Sequence, residues 1–356
     1  VNILIHIVVT FFLTFWPIMF MMSPMAFDAP GSDNNKSNIV GMMLILCYPI
    51  GLFLVLGMLG VNYFGVNSFK LALISAAIIL IAFSLFGYFG LLSNALRGIA
   101  NSGYSVVGDT AYNDGKPIEG ADGKTFKVLD SRRYSSLNHY ASDKNHLYYD
   151  GKIVEDALAE DIVEVGIGGS DYFRNSQQVI YRDMVLQGAV ADKFAVFDRY
   201  TNWAYLNNDG KFNVYYNGVL LPTVERDAFA PLNDFFATDK KQIFNGHTVV
   251  LTQADAASFE LMSDHDFGKD DNQVYYLGTR PPVVVQDADP GSFEVLERGY
   301  ARDRNHIFAI ERYANVVKLE QADIDTFEVT RYDDATKSEA RDVNHYYYDG
   351  KIVSTR

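Results

Sequence analysis

Residues 143–154 read DKNHLYYDGKIV and residues 342–353 read DVNHYYYDGKIV. Ten of the twelve positions agree across a separation of 199 residues. A phrase written twice at that distance restricts the chain to architectures in which one small unit recurs and buries its apolar surface against copies of itself. Further versions lie between them: DDNQVYYLG from 270 and DRNHIFAI from 303, with weaker NSQQVIY from 175, FNVYYNG from 212 and DKKQIFNG from 239. A second signature alternates with the first, reading ADGKTF from 121, ADAASF from 254, ADPGSF from 288 and ADIDTF from 322. Its last position aligns Phe126, Ile162, Phe194, Phe229, Phe259, Phe293 and Phe327, spaced 30 to 36 residues apart. Seven full units and a truncated eighth fit between 104 and 356.

The local chemistry of a unit is that of β-structure. In HLYYDGKIV, aromatic and β-branched residues flank Asp-Gly, a dipeptide that accepts the positive φ of a tight hairpin turn. Asn217-Gly218 and Asn245-Gly246 stand at the corresponding place in other units. Strand alternation puts Leu147 and Tyr149 on one face and His146 and Tyr148 on the other. The preceding D-x-N is a turn in which Asp bonds the backbone two residues on. In A-D-x-x-[ST]-F the Asp caps a short turn before Phe opens the next strand. The expected fold is an all-β tandem-repeat domain with three short strands per unit, an elongated β-meander or solenoid. A β-propeller is the alternative, although about 32 residues is short for a four-stranded blade.

Ahead of the repeats lie three uncharged apolar runs, at 3–22, 39–60 and 71–92. Each is long enough to cross a hydrocarbon core of roughly 30 Å as a helix. They predict a membrane anchor over 1–100 of three transmembrane α-helices with lipid as partner, followed by a repeat domain over 101–356. No basic segment precedes the first run and no small-residue cleavage site follows it, so a retained span is expected rather than a signal peptide. Pro17 and Pro49 are expected to kink the first two spans. No acidic or basic residue lies within a run, which argues against ion-coupled transport.

Charge separates the two parts. The chain carries −14, and the first hundred residues hold only Asp28, Asp33, Lys36, Lys70 and Arg97, so the remainder carries −15. Such a domain repels a phosphate backbone, which excludes nucleic acid as a partner; it suits a basic protein or peptide, or serves solubility. The single cysteine, Cys47, excludes an intramolecular disulfide and paired-cysteine metal sites.

The tandem D-K-N-x-x-Y-Y phrases resemble the bacterial DKNYY family. Asp143, Asn145, Tyr148 and Tyr149 match its motif fully, as do Asp342, Asn344, Tyr347 and Tyr348. The resemblance covers everything beyond the apolar runs. It implies an exported or membrane-bound protein and supplies no catalytic residue.

Direct inspection for chemistry agrees. His146, His306 and His345 occupy one repeat position that holds Gln178, Asn213, Gln242 and Gln273 elsewhere, as expected for a hydrogen-bonding side chain rather than a base or ligand. His139, His247 and His265 have no partner at metal-ligand spacing. Glu260, Glu294 and Glu328 recur after the aligned Phe; paired carboxylates perform glycoside hydrolysis, but recurring ones read as a solvated strand face. Lys269-Asp270-Asp271-Asn272 lacks the ligand set of a calcium loop. Val165-Gly166-Ile167-Gly168-Gly169 opens no phosphate-binding helix. The tyrosines suit either a sugar or peptide platform or, preferably, the core of thin sheets. No catalytic, metal or cofactor site is expected. The function read from the sequence is a membrane-anchored binding protein, not an enzyme, presenting an acidic repeat domain to a protein or cell-envelope component. The alternatives are an immunity protein neutralising a toxin and a small transporter or envelope enzyme. A multi-pass bacterial inner (cytoplasmic) membrane location follows, with the repeats extracytoplasmic, because the 23–38 loop has the composition of a translocated loop.

Overall fold

The computed structural model describes residues 2–355 apart from residues 30, 130–138, 167–169, 198, 209, 263–265 and 312–314. Two compact units divide it: residues 1–160 with 183–185, and the remainder.

The first unit opens with helices. α1 (Asn2–Met22) runs through Pro17 without ending and continues into a 3-10 turn at Ser23–Phe27. The second apolar run is two helices rather than one. α2 (Lys36–Leu46) and α3 (Tyr48–Met58) meet at Cys47 with a bend of 46°. Pro49 causes the break: it has no N–H to extend the α2 ladder, but it suits the first turn of a new helix. The Leu46 carbonyl at the bend accepts from the indole N–H of Trp16 at 2.7 Å. The third run also departs from expectation. α4 (Ser68–Leu85) stops before Gly87, which takes φ +77, and α5 (Tyr88–Arg97) follows separately. Among the described residues two helices are therefore long and apolar enough to cross a membrane, and up to three segments if the bent pair counts as one. Asn35 and Asn67 start α2 and α4 by accepting from backbone N–H groups of the first turn. Inside, Phe20, Leu46, Ile79, Phe83 and Tyr88 pack together. Outside, Ile3, Leu73 and Leu85 remain more than seven-tenths exposed.

Asn101 joins this helical part to the first sheet. Its backbone N–H donates to Asn34 Oδ1, and its side-chain amide donates to the carbonyls of Asp33 (2.8 Å) and Leu91 (3.1 Å). Its own carbonyl oxygen accepts from Asn94 at 3.0 Å.

Among the described residues the strands form eight antiparallel sheets, the first of three strands and the other seven of four, each ordered as in the sequence. The expectation of three strands per unit is one short. The residues after the aligned Phe form a strand of their own, such as Glu260–Leu261 or Glu294–Val295. The truncated unit is the first, Tyr104–Pro117. Among the described residues the sheets are open meanders, and none closes into a barrel or propeller.

Alternation does not separate an inner face from a wet one. Leu147 and Tyr148, neighbours on one strand, are both wholly buried. The second unit shows why. In Val274–Tyr276, Val274 and Tyr276 pack towards the following sheet with Phe293 and Phe308, while Tyr275 packs towards the preceding sheet with Phe236 and Ile243. A sheet stacked on both faces needs apolar side chains at odd and even positions alike. The aligned Phe bridges successive sheets: Phe293 lies 5.4 Å from Phe267 behind it and 5.6 Å from Phe308 in its own sheet, centroid to centroid. Phe327 stands likewise between Tyr300 and Tyr347, and Phe194 between Tyr172 and Tyr215.

The hairpin turns also belong to the stacking. Asp150-Gly151, Asn217-Gly218 and Asp349-Gly350 take φ near +47 and then +70 to +77, the two left-handed residues of a type I′ turn. A Cβ on Gly218 would lie 2.6 Å from the Tyr181 ring of the preceding sheet, and one on Gly151 2.7 Å from Asn113. Asn245-Gly246 does not follow this pattern. Asn245 pairs with Thr248, so the turn is Gly246-His247, with positive φ at its first residue only. Gly218→Ala is therefore expected to destabilise by about 2 kcal/mol or more. Gly188→Ala meets open space at a similar φ and should cost only about 1 kcal/mol. Urea unfolding of the two variants side by side checks the difference.

Candidate functional site

In three units the motif residues converge on one buried carboxylate. Asp143 Oδ1 accepts from the N–H groups of Asn145 (2.7 Å) and His146 (2.8 Å), closing the D-x-N turn. Its Oδ2 accepts from the Asp122 N–H (2.8 Å) and the Tyr148 hydroxyl (2.7 Å). Asp122 is the Asp of the second signature, so one side chain ties the two recurring phrases together. The same four donors surround Asp270 and Asp342. The Ser or Thr of the second signature completes the link, Thr125 accepting from the Lys144 N–H and Thr326 from the Val343 N–H, each at 3.1 Å. Units that depart from the motif do so coherently. Asn175 keeps the two turn bonds at 2.8 and 2.7 Å, and Ile180 stands where the tyrosine would donate.

Burial penalises the charge on Asp143, Asp270 and Asp342, but their backbone and phenol donors outweigh it and hold all three carboxyls below the usual range. Burial and the adjacent carboxylate push Tyr148, Tyr275 and Tyr347 well up. A carboxylate saturated by four donors is neither a general base nor a calcium ligand, which disposes of Asp270 in the latter role. Asn145 and Asn344 contribute their backbone to the turn with exposed side chains. Tyr149 is half-buried and Tyr348 exposed.

At two of the three recurring positions the histidine does what Gln273 does, while His306 stands beside Phe308. Nδ1 of His146 and of His345 lies 3.4 and 3.3 Å from the neighbouring tyrosine hydroxyl, and Gln273 Oε1 accepts from Tyr275 at 3.2 Å. His139 pairs with Asp150 at 2.7 Å. His265 and residues 167–169 of the glycine-rich stretch lie outside the described residues. Glu260, Glu294 and Glu328 each face a cross-strand cation, namely Lys269, Arg302 and Arg341. Among the described residues no cluster of His, Cys, Asp and Glu is arranged to hold a metal.

One concave region, in the second unit, was not legible from the motifs. Two adjoining hollows of about 450 and 440 Å³ share Phe235, Asn245 and Arg280. They form where the repeat changes: the Tyr276–Val283 pair encloses a six-residue loop, 277–282, in place of a two-residue turn, beside the Gly246-His247 turn. Arg199, Tyr200 and Asn233 line one hollow; Tyr216, His247, Val250, Pro281 and Pro282 line the other. Phe235 is 53% exposed, its N–H held by Asn233 Oδ1 at 2.8 Å. Burial raises the pKa of Tyr216, with Asp234 adding to the effect and Arg280 offsetting it. The available signal was GTRPP standing where other units carry an Asx-Gly turn.

Stacked four-stranded meanders tied by a recurrent buried aspartate define a tandem β-repeat protein. The DKNYY family model matches residues 104–248 and 235–351, and the chain belongs to that family. No curated protein and no solved structure matches it.

Two outcomes follow. His345→Gln should change stability by about 1 kcal/mol or less, because a Gln amide reaches the same phenol oxygen. Acid should act through the aspartates. Their folded pKa values lie below the unfolded value of about 3.9, so their contribution is complete above that pH and is lost as pH falls towards the folded values. Urea midpoints should hold from pH 7 to 5 and drop below about pH 4. Asp270→Asn should start lower and drop less.

Proposed function

We propose that the chain is a membrane-anchored binding protein whose repeat domain recognises a protein or cell-envelope component. The observation that carries this reading is the use of the motif side chains. The aspartates, phenols and aligned phenylalanines are spent inside the framework, which leaves recognition to surfaces where units differ, as in other repeat proteins. The exposed apolar faces of α1 and α4 support anchoring, since hydrocarbon is the solvent that suits them. The bonds from Asn101 to Asp33 and Asn34 support a topology in which the 23–38 loop and the repeats share one side. We place that side outside the cytoplasm.

The full chain in detergent, used as bait against envelope fractions, is expected to retain a partner that the anchor alone does not. Equal retention by residues 1–100 fused to an unrelated domain would sink the reading. For the topology, an export-dependent reporter fused after Arg356 should be active. Activity of a cytoplasmic reporter at the same point, with the export reporter silent, would reverse it.

A further inference from the structure

We propose that the groove around Phe235 and Arg280 binds an extended peptide segment in which a carboxylate side chain adjoins an apolar one. This rests on the binding role above and names its site and partner chemistry. The groove is close to neutral within an acidic domain, Arg199 and Arg280 standing against Asp234 and Asp266. Arg182, Arg302, Arg304 and Arg341 each pair with a carboxylate. Arg199 and Arg280 make no ion pair among the described residues, although Asp234 and Asp266 line the same hollow. Two guanidinium groups without an ion pair on a concave wall, that of Arg199 lying 5.5 Å from the Tyr200 ring centroid, favour a carboxylate, which they engage by paired N–H donors.

In the adjoining hollow Pro281, Pro282 and Val250 form an apolar wall beside Tyr216, Asn245, His247 and Thr248, and Phe235 stands exposed between the two halves. Such a wall accepts an apolar side chain. The groove's volume accommodates a few residues of extended chain, and the domain's charge repels a polyphosphate backbone. None of these residues is needed for the aspartate clamp, so the six-residue loop is free to serve recognition.

The test uses the full chain in detergent micelles and a fluorescein-labelled octapeptide of alternating leucine and glutamate, read by anisotropy against empty micelles. Saturable binding that weakens with added salt is expected. Arg199→Ala with Arg280→Ala should raise Kd at least tenfold without moving the melting temperature. Should the alanine pair lower the melting temperature, the Arg199→Gln with Arg280→Gln pair reads the same loss. Equal binding by wild type and a folded double variant would overturn the groove assignment while leaving the binding role to the bait experiment. Tighter binding of polygalacturonate than of the peptide, lost with the same arginines, would overturn the peptide in favour of an acidic glycan. No saturable binding of either probe would overturn the proposal outright.

Discussion

The buried carboxylate of the D-x-N turn is the constraint on which the rest of the repeat domain depends. A charge in an apolar stack is tolerable only when its acceptor sites are filled. At Asp143, Asp270 and Asp342 two donors come from the turn the Asp itself starts, one from a backbone N–H 15 to 21 residues upstream, and one from a phenol five residues on. Satisfying the charge therefore shapes a turn, docks the incoming segment and fixes a tyrosine rotamer at once. Removing the carboxylate would strand several buried donors at about 1–3 kcal/mol each, which explains why this letter recurs.

Around that clamp the stack is assembled from contacts between sequence neighbours. Tyr104 and Tyr172 each donate a hydroxyl hydrogen bond to a carbonyl of the next sheet, at His139 and Asn202, and accept the N–H of the turn glycine at Gly151 and Gly218. Burial holds the Tyr104 phenol up at about 12, so it stays protonated and able to donate throughout the physiological range. Trp203 makes the equivalent donation to the Asn233 carbonyl. Hydrogen bonds and aromatic packing thus cross the same interface in the same direction from unit to unit.

Much of this was legible in the sequence because its causes are local. The Asx-Gly turns, the D-x-N turn and the exchange of His for Gln depend on residues within a few positions of one another. What escaped depends on distance. Nothing in the spacing alone says that Asp143 accepts from Asp122, or that a strand after Phe259 opens the sheet that follows. Leu147 and Tyr148 read as lying on opposite faces of a strand, and the alternation does not say that both are buried. Pro49 marked a kink and proved a helix boundary; Gly87 within an apolar run carried no visible warning. The groove at Phe235 and Arg280 draws on three units, so no single unit announces it.

The turn glycines carry a consequence for how such a chain changes in evolution. Gly218 has no room for a side chain because Tyr181, from the unit before, occupies it; Gly246 meets Tyr216 and Gly350 meets Ala309 in the same manner. What is inherited as a module is therefore not a sheet but a seam, the trailing ring of one unit with the leading glycine of the next. A duplication cut within a unit, leaving both seams whole, lengthens the array without inventing a contact. One cut through a seam must find a new partner for each half, and its product is selected against before any ligand is offered to it.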